Sequence, residues 1–259
     1  MTMQYINSIS TGVASAVSAD RAITRYGREA NILWVSDVQW EDEDNWRFMD
    51  ACMQRWGGPL VRHADGRNPL QVAEDKQIIP NQRIAPCSLE LKIKPFVAFL
   101  KTIPKPVTVL LGLDWKETHR MARPKANYEA IEGVTVDYPL MWKPIEYRPY
   151  QEVVQDWGIE PPRMYAAGFS HANCGGRCVK QGVGDWNRLR LWNYERFAEV
   201  RDWEQAQRAK GGARATYAIC RDARGGDVKP LTLLEIEQRA EPSDDTPSTD
   251  DMFACMCRY

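Results

Sequence analysis

Seven cysteines are spread through a chain of 259 residues, and their spacing is the first chemical signal in it. Cys174-Gly-Gly-Arg-Cys178 puts two thiols on a short segment whose paired glycines let the backbone wrap closely around a bound centre. Cys255-Met-Cys257 supplies two more. Cys87 follows Pro86 and precedes an expected helix start, where the helix dipole stabilises a thiolate. Four thiolates drawn from separate segments suit zinc or an iron–sulfur cluster. Zinc sites usually pair two tight knuckles. Here one knuckle has three intervening residues, another has one and Cys87 stands apart, so spacing leaves both metals open. Cys52 and Cys220 stand alone and read as buried, inert thiols.

The second signal is Ile6-Asn-Ser-Ile-Ser-Thr-Gly-Val-Ala-Ser15, a short apolar strand running into a turn of small polar residues. Residues 14–26 then carry a helical pattern, with Ala14, Val17, Ala22 and Ile23 on the inner face. Backbone N–H groups converge at such a helix start and the dipole favours negative charge there. Ser10, Thr11 and Ser15 add hydroxyl groups. The same pattern also describes an ordinary serine-capped strand-to-helix turn.

The elements that position these groups read as alternating strands and helices. Asn31-Ile-Leu-Trp-Val-Ser36 is a buried strand ending at Asp37, and residues 41–56 form a helix with Glu41, Asp42, Glu43 and Asp44 in its first turn. A third strand spans residues 59–64 and closes at the Asp65-Gly66 turn. Residues 68–86 are loop and short helix, residues 89–101 a helix with Pro95 near its start, and residues 107–112 a further strand. This order predicts an α/β fold, a doubly wound, mostly parallel sheet with helices on both faces. Ligands of such sheets bind outside the carboxyl ends of the strands, where Ser10, Asp37, Asp65 and Asp114 are all expected.

The texture changes at Val134. Prolines cut the chain into short pieces, residues 185–209 read as a charged helix, residues 215–219 as a strand and residues 231–239 as a short helix. Residues 241–251 are acidic and rich in Ser, Thr and Pro. The expected organisation is a nucleotide-binding α/β core over residues 1–133, a helical, cysteine-bearing region over 134–240, and an acidic linker with the Cys-x-Cys tail over 241–259. Hydrophobic residues at 44% and charged residues at 27% mark a globular chain. A net charge of −1 argues against a global basic field for duplex nucleic acid. Arg188, Arg190, Arg196 and Arg201 form a local basic set that a solvated helix face explains equally well. No apolar run reaches membrane-spanning length and the opening residues lack a signal-peptide pattern, so a soluble cytoplasmic protein is expected.

Ser10-Thr-Gly-Val-Ala-Ser15 resembles the Ser-Gly-Gly-x-Asp-Ser phosphate loop of the adenine nucleotide alpha-hydrolase (PP-loop) superfamily. That superfamily includes N-type ATP pyrophosphatases and the phosphoadenosine phosphosulfate (PAPS) and adenosine phosphosulfate (APS) reductases. The chain is similar in particular to PAPS-reductase-like proteins of phages and prophages. Leu33-Trp-Val-Ser-Asp37 with its acidic follow-on belongs to the likeness. So does Pro86-Cys-Ser-Leu-Glu-Leu-Lys-Ile-Lys-Pro95, similar to Cys-Cys-x-x-Arg-Lys-x-x-Pro, with Cys87 on the first cysteine, Ser88 on the second and Lys92 on the lysine. Gly168-Phe-Ser-His-Ala-Asn-Cys-Gly-Gly-Arg-Cys178 stands in place of the later cysteine pair, and Gly112-Leu-Asp-Trp-Lys-Glu-Thr-His-Arg120 is similar to a Gly-Leu/Ile-Arg segment. The likeness covers residues 1 to about 200 and the terminal cysteines. Ala14 replaces the loop aspartate, Thr11 replaces a glycine, and the reductases' C-terminal Glu-Cys-Gly-Ile/Leu-His segment is absent.

The resemblance implies a HUP-like fold and an iron–sulfur, adenine-nucleotide-dependent enzyme of sulfur metabolism. Sulfur transfer through substrate adenylation is the leading expectation, with thiol-dependent PAPS or APS reduction and a non-catalytic nucleotide sensor as alternatives. It implies a [4Fe–4S] cluster on Cys87, Cys174, Cys178 and Cys257, the last interchangeable with Cys255, and Cys255 as the nucleophile. Ser10, Thr11, Gly12 and Ser15 would hold the phosphates of ATP, PAPS or APS. Asp37 would accept from adenine or ribose or hold Mg²⁺. Arg67 and Arg120 would clamp anionic oxygens, and Lys92 would neutralise cluster charge. His171 and His119 are acid–base candidates by type, although lone histidines are more often structural. The partners implied are a small-molecule or nucleic-acid sulfur acceptor, a thioredoxin-like reductant and a second copy in a homodimer.

Overall fold

The computed structural model describes residues 3–222 and 227–239. Cys255 and Cys257, and with them the expected linker and tail, lie outside the described residues.

Five strands form one parallel sheet: β1 (Gln4–Ile9), β2 (Asn31–Asp37), β3 (Leu60–Ala64), β4 (Val107–Leu111) and β5 (Val134–Asp137), in the order β3-β2-β1-β4-β5. In register, Ile6 sits between Ile32 of β2 and Val109 of β4. The chain winds outward from β1 in one direction through β2 and β3, then returns to the other side of β1 as β4 and β5. The switch point therefore lies between β1 and β4, and a crevice opens there at the carboxyl edge.

Alternation along the strands divides the apolar core into two layers. Leu33 and Val35 face α1 (Val13–Tyr26) and α2 (Glu43–Trp56), which contribute Val13, Ala16, Val17, Phe48 and Met49. Trp34, Val107, Val109 and Leu111 face Phe96 and Leu100 of α4 (Lys94–Thr102) and Tyr128 of α5 (Ala122–Glu129); α3 (Pro69–Asp75) precedes them in the chain. Helices on both faces confirm the doubly wound fold. Gly112, at the end of β4, permits the close fit of β4 on α1, because a Cβ there would lie 3.1 Å from Ser15 Cα.

The expected boundary after residue 133 falls just before β5. Val134 to Asp137 pair with β4, so the sheet continues across it. Beyond come the short helices α6 (Pro139–Trp142), α7 (Tyr150–Gln155) and α8 (Arg163–Ala166). The helix expected over 185–209 is two, α9 (Val183–Trp192) and α10 (Tyr194–Ala209), because Asn193 leaves helical geometry and caps the second with its side chain. The strand expected over 215–219 is a 3₁₀ turn at Gly212–Thr216, and extended pairing occurs instead between β6 (Cys220–Asp222) and β7 (Lys229–Leu231), followed by α11 (Leu233–Gln238).

This last region shares an apolar cluster with the sheet domain, in which Met164, Phe169, Trp186, Leu189, Phe197, Ile219 and Leu233 are buried around Cys174 and Cys178 together with Val38, Trp40, Leu70, Val72 and Leu91. Asp42 fastens the two further. That fully buried carboxylate caps α2 through Asp44 N–H and accepts from Arg163 at 2.9 Å and Arg196 at 2.6 Å. The acidic run at the start of α2 is thus largely a structural clamp.

Candidate functional site

A cavity of about 480 Å³ opens over the switch point, large enough for a nucleotide-sized ligand. Ser10 to Ser15 form one wall, and Gly112, Asp114, Lys116 and Arg120 another, with Lys92, Glu41 and His171 closing it. The loop meets the helix start without a side-chain cap, since Gly12 is the N-cap. Its amides are held by hydroxyls instead. Ser10 N–H donates to Ser15 Oγ at 3.1 Å, Gly12 N–H to Ser10 Oγ at 3.4 Å, and Val13 N–H to the Tyr165 hydroxyl at 3.3 Å. These acceptors stand where the oxygens of a bound anion would accept.

Glu41 joins this loop to the cysteine segment. Its Oε2 accepts from Cys174 N–H at 2.8 Å, Asn45 Nδ2 at 3.1 Å and Thr11 Oγ1 at 3.5 Å. Burial pushes the Glu41 carboxyl up, against the pull of Lys92 and these donors. Fully buried Asn45 also donates to Thr11 Oγ1 and, at 2.6 Å, to the carbonyl of Ala172. The loop, the start of α2 and residues 172–174 are therefore one hydrogen-bonded unit.

Cys174 and Cys178 are both 7% exposed, and their thiols are hydrogen-bonded to each other. That contact and burial hold the Cys174 thiol well above the usual range. Cys174, Gly175 and Gly176 have φ of 56°, 57° and 83°, a left-handed run that only glycine adopts freely. A Cβ on Gly175 would meet the Trp40 carbonyl oxygen at 3.0 Å, and one on Gly176 would meet Leu189 at 2.9 Å. Cys87, half-buried, precedes a π-helical stretch at Ser88–Ile93 and packs against the same apolar cluster. A [4Fe–4S] cluster needs four sulfur ligands. Among the described residues no three His, Cys, Asp or Glu side chains are grouped to hold a metal ion. Cys87, Cys174 and Cys178 of the expected set share one apolar cluster, and Cys257 lies outside the described residues.

Ser10, Thr11, Gly12, Ser15, Lys92 and Arg120 all line the cavity. Arg120 is ion-paired to Glu117, whose carboxyl is pushed up by burial. Asp37 and Arg67 are not among the lining residues. Asp37 accepts from Arg62 at 2.5 Å, and Arg67 is bound to Asp65 and Asp75 at the surface. Asp37 closes β2 beside Ala64 of β3 and its carboxylate is bound by Arg62, while the neighbouring Ser36 lines the cavity. Of the four strand-end residues, Ser10 and Asp114 reach the cavity. His171 lines it with both ring nitrogens buried and unpartnered, its pKa lowered by burial; His119 does not line it. Arg188, Arg196 and Arg201 are ion-paired to Asp185, Asp42 and Glu237, as on a structural helix face.

Sequence reasoning missed Glu41 and Tyr165. Glu41 was absorbed into an acidic helix start, and Tyr165 lies 152 residues from its partner Val13, with no local signal. Cys52 is fully buried between α1 and α2, and burial pushes its thiol up to about 12; Cys220 is also buried.

Comparison with protein-family models and with curated proteins gave no match. Among solved structures, the chain is similar to the crystal structure of PAPS reductase from Candida auris in a phosphate complex, with 12% identity and a TM-score of 0.44 over 64% of this chain and 79% of that one. Among the described residues, no helix is long and apolar enough to cross a membrane.

Proposed function

We propose that the cavity binds an adenine nucleotide bearing a sulfonate, and that the protein is a PAPS-reductase-like enzyme of sulfur chemistry. The observation that carries this reading is the switch-point cavity itself, where a hydroxyl-rich loop at a helix start faces Lys92, Lys116 and Arg120. Helix-start amides and fixed cations suit a phosphorylated anion. The motif resemblance supports adenine as the base and sulfur as the reacting element.

One feature favours a sulfonucleotide over Mg²⁺-dependent adenylation. Ala14 lines the cavity where the resembled loop has an aspartate. Glu41, the carboxylate that accepts from Thr11 of the loop, is already bound by three donors and raised by burial, which makes it a poor metal ligand. In the proposed reaction a thiolate, Cys255 in the expectation above, attacks the sulfonate sulfur. The S–O bond breaks and the nucleotide phosphate leaves with its electron pair. A dithiol of thioredoxin type then attacks the S-sulfocysteine, forming a disulfide and releasing sulfite. Lys92 and Arg120 would hold the anionic oxygens during attack. A [4Fe–4S] cluster would need Cys87 and Cys257 or Cys255 to close on the Cys174–Cys178 pair.

Incubation with PAPS, APS or ATP in the presence of thioredoxin tests the reading. Sulfite released from a sulfonucleotide is the expected result. AMP and pyrophosphate from ATP would instead establish adenylation, and nucleotide binding without any product would establish a sensor.

A further inference from the structure

We infer that Thr11 and Glu41 are positioning residues, through which a ligand on the Ser10–Ser15 loop sets a second wall of the cavity. The inference rests on the proposed reading that the cavity takes a phosphorylated ligand, and it adds a structural consequence of that binding. The second wall is the segment 170–174. Ser170, His171 and Asn173 line the cavity. The backbone beside them is held from the loop side. The Ala172 carbonyl accepts from Asn45 Nδ2 at 2.6 Å, and Cys174 N–H donates to Glu41 Oε2 at 2.8 Å. Asn45 and Glu41 both also bond Thr11 Oγ1, at 3.1 Å and 3.5 Å.

Counting hydrogens shows which of these bonds a ligand takes. A hydroxyl has one hydrogen to give. Without ligand, Thr11 gives it to Glu41 and accepts from Asn45. The contact with Glu41 is long for an O–H···O bond, so it is the weakest of the set and the first to be surrendered. A phosphate oxygen at the helix start is a charged acceptor that can approach the same hydrogen closely. Once Thr11 turns to it, Glu41 Oε2 keeps two donors, Cys174 N–H and Asn45 Nδ2, in place of three. With fewer donors sharing one oxygen, the bond to Cys174 tightens. Thr11 is 2% exposed and Asn45 fully buried, so water does not replace the donor that Glu41 loses. A glycine at position 11, as in the resembled loop, has no hydroxyl and cannot make this exchange.

Hydrogen exchange in the full-length protein, read by mass on peptides covering residues 8–16 and 169–178, tests the inference. The probes are PAPS, APS and ATP, each raised until protection of the loop peptide saturates. In the parent, exchange at 169–178 is expected to slow about threefold to tenfold on binding, as one hydrogen bond strengthens. Thr11→Ser keeps the hydroxyl and should keep that response. Thr11→Val has the same shape without the hydroxyl, and its response should fall below about twofold with the loop still protected at saturation. Thr11→Ala carries the same expectation should the valine variant not fold. A parent whose loop is protected with no change at 169–178 would overturn the inference and leave the proposed function standing. So would a response in Thr11→Val equal to the parent's, or a loosening of 169–178 by the same factor with and without probe, which is what a purely structural role gives. Protection of the loop by none of the three probes would remove the proposed function and the inference together.

Discussion

At the Ser10–Ser15 loop the backbone is ordinary. Gly12 has φ of −100°, and the turn is held by hydroxyls borrowed from Ser10, Ser15 and Tyr165. At the Cys174–Cys178 turn three consecutive residues have positive φ, and the packing around both glycines is tight. The loop inherits its shape from a regular strand–turn–helix unit, so it can exchange its internal acceptors for those of a ligand. The turn has no regular element to inherit from. It is fixed by glycines that accept positive φ and by a surrounding apolar cluster.

The most severe way to break this comparison is to separate the two regions. Asp42→Ala removes the α2 cap and leaves Arg163 and Arg196 without their shared buried carboxylate. A loss of about 4 kcal/mol is expected in urea unfolding. Glu43→Ala, at a carboxylate with 71% of its side chain exposed, should stay within about 0.5 kcal/mol. Equal effects would show that the clamp is a surface feature.

Glu204 tests how the cysteine-bearing region is held. It is fully buried, accepts from Ile219 N–H and Leu233 N–H at 2.7 Å each, and burial raises its carboxyl to about 7. Because the folded value lies above the unfolded one, the neutral acid contributes stability that is fully present below about pH 4.5 and lost as pH rises through about 7. The loss is on the order of 3 kcal/mol. Glu204→Gln should be less stable than the parent at pH 5, by about 2 kcal/mol, since its amide N–H₂ faces a backbone donor. The gap should narrow toward pH 8. Urea midpoints across that range would show it, and a constant gap would refute it.

Glycine substitutions compare the two segments directly. Gly175→Ala should cost about 2 kcal/mol, because the new Cβ meets the Trp40 carbonyl in a left-handed conformation. Gly12→Ala should cost under about 1 kcal/mol, since φ is ordinary and the contact is the end of the Tyr165 side chain, 3.1 Å away. Thermal melts of both would decide it.

A small effect is expected at Tyr165→Phe. Loss of the hydroxyl that accepts from Val13 N–H should cost about 1 kcal/mol in the unliganded protein. Affinity for a phosphorylated nucleotide should rise a few-fold, as an internal competitor is gone. Weaker binding by calorimetry would mean that Tyr165 contacts the ligand.

Much of the fold was legible because its signals are local. Buried strand runs at residues 31–36 and 107–112 and the acidic start of α2 each announce an element over a few residues. The fifth strand is only Val134–Asp137, too short for a period to register. The division of residues 183–209 into two helices turned on a single asparagine. At the cavity, Ser10 was legible by residue type and position, and Lys92, which also lines it, through its place in the resembled cysteine segment. That Arg62 binds Asp37 while its neighbour Ser36 lines the cavity depends on the partners of each side chain, which a strand run does not contain.

By itself the sequence determined an alternating α/β chain with a small-residue turn after its first strand and a two-glycine segment between Cys174 and Cys178, because strand and helix periodicity and glycine's freedom at positive φ are properties of neighbouring residues. Only the tertiary structure decided that Glu41 ties Thr11 to Cys174, that Tyr165 reaches Val13, and that Arg62 and not the cavity receives Asp37. Those are contacts between segments whose approach is set by strand order and by competition among buried polar groups for partners, and no short stretch of sequence contains either.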